Sequence, residues 1–433
     1  MSPRIAIIVL AAMLATGASL PPRPVRGDVN GDGGADLVVG GAGLLTIQPL
    51  KGRAAVLNQH ATALSTGDFD KDGLADVAVG TGGTVTVLYG RRADGHVGRS
   101  SRFTPGQGGV PRLGTGHGFG NALTTSDFNR DGYADLAVGA PETTLNTAAV
   151  RGGAAVVLYG SRRGLTSSGA LRLSEDTPGV VGFSQHSRLF GAGLAAGDVT
   201  GDGYSDLVVT APSGRPGYDI GGAIHVFKGS ARGVTITGNT MVTSGNVDGR
   251  VMDVQACAGG FEGADNKANI ARCTREPFGW SVRVGRFHGG KYADVIAGIG
   301  TGRLLVLRGG PVGVDKRRLK TVALPGIAGT SDPANDYAGS LAAGDVDKDG
   351  YTDLVAGARG RGEVAVLYGS AAGPRRPDWI GKGGANVALL DVDGDTVPEL
   401  ATTGGESTRV FWIKNGRVAR TIALPLQGRL IAR

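Results

Sequence analysis

One acidic pattern recurs along this chain: Asp-x-Asp/Asn-x-Asp-Gly-x-x-Asp, followed by a short apolar run. The clearest copy reads Gly67-Asp68-Phe69-Asp70-Lys71-Asp72-Gly73-Leu74-Ala75-Asp76-Val77-Ala78-Val79-Gly80. Carboxylates at alternate positions of a tight loop can wrap around one hard cation, and the glycine permits the sharp turn between them. Calcium asks for about six to eight such oxygens at ~2.3–2.6 Å. The side chains at the first, third, fifth and ninth positions converge in this reading, and the carbonyl of the seventh adds an oxygen. In this repeat the ligands are Asp68, Asp70, Asp72 and Asp76, with the Leu74 carbonyl. Three or four carboxylates held that close repel one another unless neutralised. That favours a bound ion over plain Asp-rich turns. Magnesium fits less well, because it prefers octahedral sites that keep several waters.

The same positions give Asp28, Asn30, Asp32 and Asp36 in repeat one, and Asp127, Asn129, Asp131 and Asp135 in repeat three. Repeat four has Asp198, Thr200, Asp202 and Asp206, where the neutral Thr weakens the site. Repeat six has Asp345, Asp347, Asp349 and Asp353. Repeat seven has Asp391, Asp393, Asp395 and Glu399, with Thr396 where the turn calls for Gly. Repeat five breaks the rule: Arg286, His288, Gly290 and Asp294 occupy the four positions. No metal is expected there, and a fixed side-chain cation, with Arg286 and Lys291 nearby, is expected to replace it. The cofactor expected is Ca²⁺, at up to six sites.

These loops must be positioned by something regular. Successive copies start 40, 59, 71, 88, 59 and 46 residues apart, a mean of about 60. A strand-like segment precedes each, as in Ala122–Thr125 and Leu341–Ala343. Runs expected to alternate follow it, as in Asp135–Val138 and Asp353–Ala356, then a run ending in aromatic-Gly such as Val156-Val157-Leu158-Tyr159-Gly160, then a weaker fourth run. Four strands per unit and seven units describe an all-β, seven-bladed β-propeller of four-stranded antiparallel blades. The alternative, a linear β-solenoid, normally uses repeats shorter than ~60 residues. Closure is open at this level: either Val25–Val29 or Arg429–Arg433 can complete blade one.

Phe119-Gly120, Asp127–Asp135 and Gly139-Ala140-Pro141 together resemble the FG-GAP repeat of integrin α-subunit propellers. Phe190-Gly191, Asp198–Asp206 and Ala211-Pro212 match almost as well. Phe278-Gly279 keeps half of the pattern and Tyr337-Ala338-Gly339 is degenerate. The resemblance spans about residues 24–424 and implies one propeller domain over 24–433, of the secreted bacterial type. It also implies partner binding on the face opposite the metals.

Composition agrees with many short strands and tight turns: Gly is 78 of 433 residues, far above the usual ~7%. A hydrophobic content of 41% excludes a disordered chain. Arg4, the apolar run Ile5–Ala15 and the small residues Thr16-Gly17-Ala18 read as a secretory signal peptide over 1–18. No later stretch reaches the ~18 apolar residues of a membrane span. In an exported chain Cys257 and Cys273 read as a disulfide worth ~3 kcal/mol, closing an insertion at about 241–276 between blades four and five.

The formal charge is +7, yet six loops hold 21 of the 38 acidic residues, leaving 17 against 45 Lys and Arg. A metal-loaded surface is therefore markedly basic and suits an extracellular protein or an anionic polymer or glycan. Nothing supports specific nucleic-acid reading. A monomer is expected. The long loops of the non-metal face, with Arg215, Tyr218 and Asp219, are the candidate partner site. Arg26-Gly27-Asp28 spells an adhesion tripeptide, but Asp28 is also a metal ligand and should be folded away. The six His are scattered and no Gly-x-Ser-x-Gly elbow occurs, so no catalytic residue is assigned. The expected function is secreted, calcium-stabilised, non-catalytic binding or adhesion. The alternative is an extracellular hydrolase or lyase acting on a polysaccharide or phospholipid.

Overall fold

The structure is a computed structural model that describes residues 27–431. It leaves out 42, 93–96, 115, 146–150, 183–187, 213–221, 244–277, 300–302, 325–339, 359–362, 376, 383–385, 405–406, 415–416, 425 and 427–429. The expected leader, Cys257, Cys273, Arg215, Tyr218, Asp219 and the Tyr337-Ala338-Gly339 motif lie outside the described residues.

Seven antiparallel sheets of four strands each follow one another along the chain. Blade two is typical: Ala63–Gly67 innermost, then Asp76–Gly80, Val85–Gly90 and Val97–Phe103 at the rim. Blade one takes its second to fourth strands from Leu37–Gly40, Leu44–Gln48 and Ala55–Asn58. Its inner strand is Leu430–Ile431, from the far end of the chain, with Val39 opposite Ile431 and Gly40 opposite Leu430. That pairing resolves the closure: residues 27–36 serve as a loop, and the C-terminal segment closes the ring.

The second strands do not alternate. Asp76–Gly80, Asp135–Ala140 and Asp206–Ala211 are buried along their whole length. Each blade is sandwiched between two neighbours, so both faces of its middle strands are covered, and continuous small aliphatics replace the alternation the sequence suggested. The cores lie between blades. Phe69, Val85, Val87 and Tyr89 of blade two pack with Phe119, Leu136, Val138 and Val156 of blade three. The residue after the first loop position is buried and apolar in every repeat: Val29, Phe69, Phe128, Val199, Phe287, Val346 and Val392. It anchors each loop to the core beneath.

The Phe-Gly and Gly-Ala-Pro signatures meet across blades. Phe119 and Phe190 are fully buried. The Gly120 N–H donates to Gly139 O of its own blade at 2.9 Å. Its carbonyl faces the preceding blade so closely that a β-carbon on Gly80 would lie 1.9 Å from it. Gly139 stands in the same relation to Gly191 of blade four, at 2.0 Å. Glycine is required at these positions because backbone meets backbone there.

Candidate metal centres

Six of the seven acidic loops link the inner strand of a blade to its second strand, and the first precedes Leu37–Gly40, so all seven lie at one end of the propeller. Each of the six acid-rich loops is folded by its own acids. The sixth-position N–H donates to Oδ2 of the first acid: Gly33 to Asp28, Gly73 to Asp68, Gly132 to Asp127, Gly203 to Asp198, Gly350 to Asp345 and Thr396 to Asp391, all at 2.9–3.0 Å. The seventh N–H donates to Oδ1 of the fifth acid, as Leu74 does to Asp72 at 2.9 Å and Val397 to Asp395 at 2.7 Å. Thr396 therefore forms the same turn as glycine, at φ 73°. A β-branched residue in that region stores of order 1–3 kcal/mol.

The ninth acid ties the loop to the sheet. Asp76 Oδ2 accepts the Phe69 N–H at 2.8 Å, and Oδ1 accepts the Gly90 N–H at 2.9 Å. Asp135 repeats this with Phe128 and Gly160, Asp206 with Thr200 and Gly229, and Asp353 with Val346 and Gly369. The glycine at or just after the end of the third strand supplies that second N–H, a role its sequence does not announce.

In repeats two, six and seven the carboxylates of the first, third and ninth positions converge, with one oxygen from each within 4.8 Å of the others. These are Asp68, Asp70 and Asp76; Asp345, Asp347 and Asp353; and Asp391, Asp393 and Glu399. The fifth-position acids Asp72, Asp349 and Asp395 are not in those groups. In repeats one and three the third residue is an amide. Asn30 donates to Asp32 and to Asp36, each at 3.2 Å, and Asn129 donates to Asp131 at 2.9 Å. Thr200 of repeat four is buried and brings no carboxylate. Asp28 is 5% exposed, and Arg26 of the adhesion tripeptide lies outside the described residues.

The electrostatics are those of a site short of positive charge. Burial pushes Asp76 up to about 8; its backbone N–H donors oppose this, and Asp70 and Asp72 add to it. Burial likewise takes Glu399 to about 8, Asp353 and Asp135 to about 7, and Asp36 and Asp206 to about 6. Asp70 Oδ1 and Asp391 Oδ1 are buried with no hydrogen-bond partner. A buried carboxylate oxygen left unpaired costs several kcal/mol in order of magnitude. A divalent cation satisfies both oxygens and neutralises each cluster, so the residues fit the ion. Asp68, Asp70 and Asp76 would hold it in repeat two, with the equivalent residues in repeats six and seven.

Two outer-shell donors orient the third acid and escaped the sequence reading. Arg99 Nη2 lies 2.8 Å from Asp70 Oδ2, with its guanidinium 3.5 Å above the Tyr89 ring. Trp412 Nε1 donates to Asp393 Oδ2 at 2.9 Å. Both come from strands remote in sequence from their loops, and only the cross-strand register finds them.

Repeat five is built differently. His288 Nδ1 lies 2.6 Å from Asp294 Oδ2, so imidazole meets the remaining acid, not Arg286 or Lys291. Lys291 lies over the Tyr292 ring at 4.8 Å. The Nε2 edge of His288 abuts Gly373 of blade six, where a β-carbon would come within 2.1 Å.

The loops also touch one another around the ring. The eighth-position N–H donates to the first-position carbonyl of the preceding loop: Ala75 to Asp28, Ala134 to Asp68, Ala293 to Asp198, Thr352 to Arg286 and Ala35 to Asp391, at 2.6–3.2 Å. The last of these closes blade one onto blade seven. Repeat seven has Pro398 at its eighth position and no N–H to give.

Comparison with known proteins agrees with this geometry. The FG-GAP repeat matches residues 119–158, 190–227 and 337–367, and an FG-GAP-like repeat matches 68–138. Phosphatidylinositol-glycan-specific phospholipase D of Bos taurus is 37% identical over 115 residues, which is 26% of this chain and 14% of that protein. Integrin alpha-PS5 of Drosophila melanogaster is 37% identical over 110 residues, 24% of this chain and 10% of that protein. The likeness to these relatives thus covers a small part of their length. BBS1N, solved in complex with ARL6DN, superposes with a TM-score of 0.50 over 90% of this chain and 91% of its own at 12% identity, a likeness of fold alone. Among the described residues no helix is long and apolar enough to cross a membrane. The chain is thus a seven-bladed β-propeller that carries FG-GAP repeats.

Proposed function

We propose that the protein is an exported calcium-binding propeller that acts as a non-catalytic binding or adhesion module for an extracellular, anionic partner. The observation that supports this most is the pair of buried, unpartnered oxygens, Asp70 Oδ1 and Asp391 Oδ1, inside clusters of three acids. Calcium in those clusters pins the inner strands of neighbouring blades, because the loops of repeats two, six and seven are each hydrogen-bonded to an adjacent loop. The rigid ring then presents its edges to a partner. The integrin and phospholipase relatives resemble this chain over only 110–115 residues each, which suits a common scaffold better than a common activity.

A thermal melt in calcium and in chelator tests the metal part, with Asp70→Ala/Asp72→Ala as control. A higher Tm in calcium is expected, as a ligand bound only by the folded state requires, with a smaller rise in the double variant. No calcium-dependent rise overturns it. Incubation with acidic polysaccharides and phosphatidylinositol lipids tests the absence of catalysis, and released product would replace the binding reading with the hydrolase or lyase reading.

A further inference from the structure

The turns that join third to fourth strands lie at the same end of the propeller as the acidic loops, because strand direction alternates within each blade. They are hydrogen-bonded to those loops: the Arg91 N–H donates to Val29 O, Ser161 to Phe69 O and Ser370 to Phe287 O, at 3.0–3.2 Å. Their charged residues are almost all of one sign. Among the described residues these turns and their strand tips carry ten exposed Lys or Arg, among them Arg91, Arg92, Arg162, Arg163, Arg232 and Arg375, against one exposed acid at a strand tip, Asp378. Six of the seven blades contribute. The opposite end is mixed: its described loops expose Glu142 and Asp176 against Arg112 and Arg151.

Two further observations point the same way. Lys71, Arg130 and Lys348, at the fourth loop position, are held at φ 58–60° where Gly31, Gly201 and Gly394 occupy the same place in other repeats. A long cation stands there in a backbone region that glycine fills freely and other residues rarely adopt, so the charge is retained against a local preference. The position-seven tyrosines beneath are covered: Lys71 lies 5.3 Å over Tyr133, Arg130 5.5 Å over Tyr204 and Lys291 4.8 Å over Tyr292. Rings capped by cations are not platforms for stacked bases, whereas a polymer recognised through its charges needs no such platform.

We infer that the metal-bearing end of the propeller is the docking surface for a linear acidic polysaccharide, bearing uronate or sulfate groups, with the outer hairpin arginines as its contacts. This rests on the cation-binding reading for its gating. The seven loops place twenty-two carboxylates among these arginines. Without metal those carboxylates repel a polyanion. Six divalent ions bring twelve positive charges to the same surface, and the hairpin arginines then dominate it. The sequence expectation is a partner on the other face, at the loop with Arg215, Tyr218 and Asp219 and the segment closed by Cys257 and Cys273, and those residues lie outside the described ones. The described charges favour the metal face instead.

The test is binding of the full protein in calcium to immobilised dextran sulfate and polygalacturonate, with neutral dextran as blank. Arg162→Glu/Arg163→Glu/Arg232→Glu should weaken binding at least ~tenfold and flatten its salt dependence. Arg112→Glu/Arg151→Glu, on the opposite face, should change it less than about twofold. Equal weakening by both variants, no binding to either polymer, or displacement by duplex DNA at lower concentration than by polysaccharide overturns the inference. Calorimetric calcium titration of the same preparations separates the two readings. Calcium heats without polymer binding retire the surface and keep the metals. Arginine-dependent polymer binding without calcium heats retires the metals and keeps the surface.

Discussion

Lys71 Nζ donates a hydrogen bond across the blade boundary to the carbonyl of Asp131, 3.1 Å away in the next acidic loop. Lys348 makes the same bond to Asp395 O at 3.0 Å. Both lysines are in the left-handed region, at φ 59° and 60°. At these two boundaries the fourth residue of one loop thus reaches the fifth of the next.

This arrangement separates a backbone cost from a side-chain gain. Lys71→Ala loses the bond to Asp131 and keeps the strain, whereas Lys71→Gly loses the bond and relieves the strain. The glycine variant should be the more stable of the two by about 1 kcal/mol in urea unfolding. An alanine variant as stable as the glycine one would show that the conformation costs nothing here.

The close approach of Gly80 to the Gly120 carbonyl gives a steric prediction. A β-carbon there would lie 1.9 Å from that oxygen, with backbone on both sides and no flexible side chain to yield. Gly80→Ala should destabilise by about 2–3 kcal/mol. Gly83→Ala, where nothing lies within 4 Å, is the matched control and should stay within about 0.5 kcal/mol.

A buried ion cluster stands far from the metal loops. Glu175 accepts from Arg188 through both oxygens, at 2.9 and 3.2 Å, and lies 3.0 Å from Nε2 of the fully buried His225. Burial raises the Glu175 carboxyl, but the His225 and Arg188 hydrogen bonds outweigh it and hold the group below its ordinary value. Glu175→Ala strands a buried guanidinium and should cost about 3–5 kcal/mol, measured by denaturant unfolding.

The ninth-position acids set a pH dependence. Asp76 and Glu399 stand at about 8 in the folded chain against ordinary values of 3.8 and 4.5, so without metal the folded state binds more protons than the unfolded one across that interval. The stability they contribute is complete below pH ~4 and is lost as pH rises through about 8. In chelator the Tm should therefore fall from pH 5 to pH 8. Calcium competes with those protons, so its stabilising effect should widen over the same window. A calcium effect that is constant or shrinks with pH contradicts this assignment.

Much of the fold was legible because its repeat is both chemical and geometric. Asp68, Asp70, Asp72 and Asp76 mark a loop between two strands, and copies spaced by about 60 residues leave room for four strands each. The alternation expected for Asp135–Val138 failed because a blade has two covered faces. Closure by Leu430–Ile431 was one of two alternatives, since a two-residue strand carries too little pattern to choose. Arg99, Trp412 and the N–H groups of Gly90 and Gly160 were hidden for another reason: each acts on an acid 14 to 29 residues away through strand register, which residue spacing does not encode. His288 sat in plain view as a lost ligand, and only its 2.6 Å contact with Asp294 shows what replaced the metal's partner.

The central claim is that the six acid-rich loops hold calcium and repeat five does not. Native mass spectrometry of the full chain, titrated with calcium and then with chelator, counts the ions directly. The account predicts five to six bound ions, falling by one in Asp68→Ala/Asp70→Ala and unchanged in Asp294→Asn. A chain that carries no calcium at millimolar concentration, or one that loses an ion with Asp294, would contradict it.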